Sequence, residues 1–285
     1  TIFLENTHME STRPPRELDN VMFESNIAVK ADGFEFGEYI VDRLRDSYRY
    51  KGDVPGAGIN CFAEVGPKGL GSEVRTRHAP VFEQARISPK IFDASMESMC
   101  TDPLPHLERL RGEMEKQAST LDAKLEEQRL TLSQEGVAYF EEDVRRFNRE
   151  LARFTEGIRV LREEPTALEA FLLTNRAFSL SSKGFKNWRR FQIVFFVSIM
   201  PDLVATRCPQ YKNYREDVDL IYFPTGGGKT ESYLSAVVFQ AFFDRLNGKK
   251  SGVSAFTRFP LRLLSLQQIQ RIADVFGAAE ILRKE

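Results

Sequence analysis

The residues best equipped for chemistry lie together at Pro224-Thr225-Gly226-Gly227-Gly228-Lys229-Thr230. Glycines let a backbone curl until successive N–H groups point at one anion. A lysine adds positive charge, and a threonine hydroxyl can hold a divalent cation. The flanks supply the context such a loop needs. Val218-Asp219-Leu220-Ile221-Tyr222-Phe223 reads as a short buried strand, and Glu231 to Leu246 reads as a helix ended by Asn247-Gly248. Strand, glycine loop and helix in that order form a phosphate-binding P-loop, because the helix N-terminus contributes unused N–H donors and a partial positive charge. On this reading Thr225, Gly226, Gly227, Gly228, Lys229, Thr230 and Glu231 cradle ATP. Lys229 reaches the β- and γ-phosphates and Thr230 offers its hydroxyl to Mg2+, which makes these two the catalytic pair. The strict G-x-x-x-x-G-K-[ST] pattern fails at one position, where Phe223 replaces the first glycine. A glycine-rich turn that takes no nucleotide is the alternative.

Two neighbouring segments narrow the reaction class. Gly252 to Phe259 reads as the next buried strand, followed by Pro260-Leu261-Arg262-Leu263-Leu264-Ser265-Leu266-Gln267. This run is similar to motif Ia of superfamily-2 helicases, P-T-R-E-L-A-x-Q. Pro260, Arg262, Leu264 and Gln267 match in register, while Leu261 and Leu263 replace the usual Thr and Glu. The resemblance implies that Pro260, Arg262 and Gln267 bind DNA, and a guanidinium suits a phosphate. An ordinary strand-to-helix junction is the other reading. Upstream, Trp188-Arg189-Arg190-Phe191-Gln192 resembles the R-x-[FY]-Q form of the adenine-sensing Q motif. An amide both donates and accepts, so Gln192, with Arg189 beside it, can read an adenine edge. Phe185 or Trp188 offers a ring to stack on the base. Lys183, Lys186, Arg189 and Arg190 also make a basic patch, or simply the start of an amphipathic helix.

These groups need a scaffold, and the expected one is α/β. A β-containing N-terminal region with long loops occupies residues 1–103, a helical hairpin and helical region residues 104–180, and the N-terminal part of a RecA-like domain with a parallel sheet residues 181–285. Short strands are expected at Cys61 to Val65 and Val74 to His78. Leu107, Leu110, Met114, Ala118, Leu121 and Leu125 recur at helical spacing. Beyond a break at Ser133 to Gly136, Phe140, Val144, Phe147, Leu151, Phe154, Ile158 and Leu161 alternate four and three apart. Such spacing predicts two helices paired antiparallel. Pro165 ends the second, and Thr166 to Glu169 has the form of a capping box before a helix through Phe178. Phe191 to Met200 reads as a buried helix, and Asp202 to Glu216 as an inserted loop.

Composition excludes several classes. The chain has 285 residues, 42% of them hydrophobic, with 40 Lys plus Arg against 41 Asp plus Glu. No apolar run reaches the roughly 18–20 residues of a membrane span, and no secretory signal is visible. The three cysteines and three histidines are scattered, so no zinc site is expected. Unpaired cysteines suit a reducing cytoplasm. Thr1 in place of Met suggests an excerpt of a longer protein.

From about Arg153 to Arg271 the sequence resembles the helicase subunit of the DISARM anti-phage system. Phe154-Thr155-Glu156-Gly157-Ile158, Asn175-Arg176-Ala177, the Trp188 to Gln192 run, the PTGGGKTE loop and Leu261 to Arg271 carry this resemblance. It implies ATP hydrolysis coupled to DNA, with a DUF1998-type DISARM partner subunit (DrmB-like). Superfamily-2 catalysis also needs a DExx motif after motif Ia, which these residues do not include. The segment alone is therefore expected to bind nucleotide weakly and not to hydrolyse it, and its unfinished sheet is expected to limit solubility. Other settings for such a motor are restriction, repair or remodelling. A DNA- or protein-binding scaffold with a structural P-loop and a small-molecule kinase are the readings from other classes.

Overall fold

The computed structural model describes residues 26–30, 39–40, 53–54, 62–65, 73–77, 90–181, 187–222, 227–259 and 262–285. Thr225, Gly226, Pro260, Phe185, Lys183 and Lys186, and the side chain of Arg262, lie outside the described residues. The chain divides into two compact units, residues 1–85 with 128–140, and residues 86–127 with 141–285.

The first unit holds short strands β1 (Ala28–Lys30), β2 (Tyr39–Ile40), β3 (Asp53–Val54), β4 (Phe62–Val65) and β5 (Glu73–Arg77). They form an antiparallel three-stranded sheet in the order β1-β5-β4 and a separate β2-β3 pair. In the register of the ladder Val74 of β5 lies opposite Val29 on one side and Val65 on the other. Ile27 and Thr76 extend the pairing: the Thr76 N–H donates to the Ile27 carbonyl, and the Ile27 N–H to Thr76 Oγ1, each at 2.8 Å. β4 and β5 are the strands that the alternation at 61–65 and 74–78 predicts.

The second unit is helical. Its elements include α1 (Met96–Thr101), α2 (Leu104–Gln128), α3 (Gln134–Glu163), α4 (Pro165–Ser181), α5 (Arg190–Ser198), α6 (Met200–Val204), α7 (Lys229–Leu246) and α8 (Arg262–Lys284). The apolar positions spaced three and four apart do bury one face, with Leu107, Leu110 and Met114 of α2 and Phe154, Ile158 and Leu161 of α3 in one core. Arg162 near the end of α3 pairs with Glu108 near the start of α2, as antiparallel helices require. Pro165 opens α4, where its missing N–H costs nothing. Thr166 therefore sits inside the first turn, and the expected capping box does not form there. Phe171, Trp188, Phe196 and Phe239 build an aromatic centre with ring centroids 5.0–6.1 Å apart. α3 crosses α5 at Gly157, where a Cβ would lie 1.9 Å from the Val197 carbonyl oxygen. Only a residue without a side chain permits that approach.

The expected parallel sheet does not appear among the described residues. Among the described residues all named strands pair antiparallel, all lie in the first unit, and the second unit is built from helices. Neither Val218–Tyr222 nor the stretch from 252 to 259 is a strand. Val218, Leu220, Tyr222, Val253 and Phe256 are each between 77% and 95% exposed. A strand exists only through ladder hydrogen bonds to a neighbour, and these segments make none among the described residues. Their alternating apolar side chains supply the polarity pattern of a strand without its partner. A RecA-like α/β domain is thereby overturned for this chain.

The expected insertion at 202–216 is instead a fastened corner. Tyr211 donates its hydroxyl to Glu164 Oε1 at 2.9 Å, and the Tyr214 N–H donates to Asp202 Oδ1. Burial and the carboxylates of Glu164 and Glu163 raise the Tyr211 pKa well above its ordinary value, so the phenol stays a donor.

Candidate phosphate-binding site

The site is built around the first turn of α7. Gly228 is its N-cap, in the left-handed region at φ 87°, and offers no side chain to cap the helix. Its neighbour Gly227 is buried, while Lys229 and Thr230 are half-buried. The first N–H groups of an 18-residue helix thus meet a glycine cap, an arrangement that leaves donors and a partial positive charge for an anion. A Cβ at Gly228 would stand 2.6 Å from Gln192 Nε2 and 2.8 Å from Arg189 Nη1. Torsion angle and crowding both require glycine here.

Gln192 supports the loop from below. It is 1% exposed. Its Nε2 donates to the Gly228 carbonyl at 2.7 Å, and its Oε1 accepts from the Arg189 N–H at 2.8 Å. The second bond closes the start of α5, since Gln192 is the third residue of that helix and reaches back to the cap. In a trans peptide the C=O and N–H point in opposite directions. Anchoring the Gly228 carbonyl on Gln192 therefore aims the Lys229 N–H away from the support. Arg189 is fixed in turn by the stretch before α1. The Phe92 N–H donates to the Trp188 carbonyl and the Arg190 N–H to the Lys90 carbonyl, each at 2.8 Å.

The sequence thus brings Gln192, Arg189, Gly227, Gly228, Lys229, Thr230 and Glu231 together. Trp188 is a different matter. It is fully buried, its Nε1 donates to Asn175 Oδ1 at 2.7 Å, and its ring packs on Phe178 and Phe196. It is a core residue, closed to a stacked base. Arg190 is half-buried and pairs with Glu113 at 2.6 Å. Gln267 lies exposed on α8, in the first turns of the helix.

Residues that motif reading passes over hold the approach to the loop. The Arg153 side chain is 4% exposed and meets Asp219 through both terminal nitrogens, at 2.6 and 2.9 Å, and Asp202 at 2.9 Å. Its guanidinium also lies 5.3 Å from the Tyr214 ring centroid. The hydrogen bond to Asp219, opposed by burial, raises its pKa further above an already high value, so it is a permanent cation. Asp219 is in the extended stretch that leads to the loop, so this clamp ties that stretch to α3. On the other side, Glu231 pairs with Arg271 of α8 at 3.4 Å, and Tyr233 bonds Gln268. The position of Tyr233 was open to sequence reading, because it falls one helical turn after Thr230.

The left-handed glycine, the uncapped helix start, a lysine and a threonine at the first two helical positions form an arrangement suited to an anion, and an L-Cβ at 228 would crowd its support. A cavity of about 910 Å3 lies between α7 and α8, lined by Val237, Val238, Phe242, Ile272 and Phe276 among others, and none of its lining residues belongs to the loop. Among the described residues no group of His, Cys, Asp and Glu is arranged to hold a metal ion by itself, and no helix is long and apolar enough to cross a membrane.

No protein-family model matches the chain. Over 129 residues, 42% of its length, the chain is 33% identical to the DISARM protein DrmA of Bacillus paralicheniformis. The matched stretch is 11% of that relative's length. The resemblance to a DISARM component therefore stands on a comparison as well as on motifs, and it concerns a small part of the larger protein.

Proposed function

We propose that this chain carries the nucleotide-binding part of an ATP-dependent DNA helicase or translocase that works in DISARM-type anti-phage defence in the cytoplasm. The observation that carries the reading is the Gly228 junction. A left-handed glycine caps α7 without a side chain, its carbonyl is held by Gln192, and Lys229 and Thr230 follow directly. The similarity to DrmA supports the defence setting.

In this function Gln192 is a support before it is a reader of adenine, since both ends of its amide already bond backbone. The Gly228 and Lys229 amides would hold phosphate, Lys229 would balance its charge, and Thr230 would offer its hydroxyl to the metal. Bound Mg2+ would neutralise charge on the phosphates. Arg189, beside Gly228, adds a second cation on the support side. Pro260, Arg262 and Gln267 would meet the DNA backbone, and a DUF1998-type partner would act with the intact protein on invading DNA.

The test is calorimetric titration of the chain with Mg2+ and a non-hydrolysable ATP analogue, beside Lys229→Ala, together with hydrolysis by the intact protein with and without DNA. Binding by the chain, lost in the variant, and DNA-stimulated turnover by the intact protein are expected. Equal binding by chain and variant, or no binding by either, would replace the motor with a scaffold whose glycine loop is structural.

A further inference from the structure

The first turn of α7 is joined to one face of α8 by two polar bridges at the loop end of the helix pair. Tyr233 follows Thr230 by three positions, so both lie on one face of α7. Thr230 is among the groups that act on the Tyr233 phenol. The phenol donates in turn to Gln268 Oε1 at 2.5 Å. Burial raises the phenol pKa against the opposing influence of Thr230 and Arg271, so Tyr233 keeps its proton at neutral pH and remains the donor. Beside this line, Glu231 Oε1 meets Arg271 Nη1 at 3.4 Å. Gln268 and Arg271 are themselves three apart, on one face of α8.

Packing alone does not call for these bridges. Val238 and Phe242 of α7 and Val275, Ala278 and Ala279 of α8 are buried in the shared core, further from the loop. At the loop end the contact changes from apolar to polar, within one helical turn of the loop's own threonine. Hydrogen bonds in a chain polarise one another, so a change at one end is felt at the other. A tyrosine hydroxyl can donate and accept at once.

We propose that Tyr233 is a coupling residue, transmitting the state of the glycine loop from Thr230 to Gln268 and so to α8, the helix whose first turns are expected to meet DNA. The proposal rests on the reading that the loop takes a nucleotide. Tyr233 acts through Thr230 and Gln268 and is a positioning residue, not a catalytic one. Tyr233→Phe keeps the ring, including its contact with Phe259 at 6.2 Å, and removes only the hydroxyl. Gln268→Leu removes the acceptor from the opposite side.

Hydrogen exchange of α8 amides, read by mass spectrometry with and without Mg2+ and a non-hydrolysable ATP analogue, tests this on the whole chain. Calorimetry on the same samples gives analogue affinity. In the wild type the analogue is expected to slow exchange across residues 262–272 by about 5-fold or more, the lower end of ordinary coupling between sites. In Tyr233→Phe and in Gln268→Leu the slowing falls below about 2-fold while affinity changes by less than about 3-fold, well under one such coupling. Exchange without analogue is the same in all three proteins, which a purely structural tyrosine would not give. Equal slowing in wild type and Tyr233→Phe, or none in a wild type that binds the analogue, overturns the coupling and leaves the nucleotide site standing. A wild type that binds no analogue removes the nucleotide reading and the coupling with it.

Discussion

Gly157→Ala sets two effects of opposite sign against each other. Alanine in a helix interior is worth about 0.5–1 kcal/mol more than glycine. At this position, however, the new Cβ would stand 1.9 Å from the Val197 carbonyl oxygen, 2.7 Å from its carbonyl carbon and 2.9 Å from its Cγ1. Carbon and oxygen in contact sit at about 3.3 Å or more, so α3 and α5 must part by about 1.4 Å, the difference between these distances. The nearest atoms are backbone and cannot rotate away. Overpacking of this kind costs about 1–3 kcal/mol, and the upper part of that range applies. The net loss is then about 2 kcal/mol, or roughly 4–8 °C in Tm for a chain of this size. Gly112 and Gly277 are also helical, and a Cβ at either meets nothing within 4 Å. Gly112→Ala and Gly277→Ala should therefore raise stability by about 0.5–1 kcal/mol. Thermal and urea unfolding followed by circular dichroism compare the three. A Gly157→Ala protein as stable as the two controls would refute the close crossing of α3 and α5.

Three other expectations concern two supports of the loop and the far end of α7. Gln192→Leu strands the Arg189 N–H and the Gly228 carbonyl, at about 1–3 kcal/mol each, and should lower both Tm and analogue affinity; a variant with unchanged Tm would show that these bonds are not needed. Arg153→Met leaves Asp202 and Asp219 without their shared cation. The loss should be about 2–3 kcal/mol, below the range for a fully buried pair because Asp219 is about one-third exposed, and the added change Asp219→Asn should recover part of it. No recovery in that double variant would mean that the clamp is not the source of the loss. Asp244 titrates with a definite sign. Burial raises its pKa, but hydrogen bonds from Lys249, Ser254 and Gln240 outweigh burial and hold it below the ordinary 3.8. Its contribution is thus complete above that value and disappears as pH falls through the depressed one. The stability gap between wild type and Asp244→Asn should stay constant from pH 7 to about 4 and close only at lower pH; a gap that closes near neutrality would contradict the assignment.

What could be read from the residues depended on range. The positive-φ glycine at 228 and the helix after it were legible because local rules decide them, and α7 ends at Asn247 as its glycine signal suggests. The two apolar stripes were legible too, since spacing of three and four names the buried face. The segments around Val218 and Val253 misled, because alternation records side-chain polarity and says nothing of a neighbour to bond. Gln192 was singled out for its amide, and it does stand at the loop, but burial gives that amide to backbone. Trp188 was drawn in by its motif, while the core and Asn175 claim it. Arg153 reaches partners 49 and 66 positions away, a separation that no local pattern encodes.

Gly228 makes one further point about handedness. Its torsion angle is one that L-residues avoid and D-residues favour. An L-methyl at this carbon strikes Gln192 and Arg189; a D-methyl would take the other tetrahedral position. D-alanine installed by chemical ligation would therefore relieve the torsional penalty, while placing one carbon on the opposite side of the backbone. The mirror-image pair at a single atom would distinguish a junction shaped only to fold from one whose open side must stay empty.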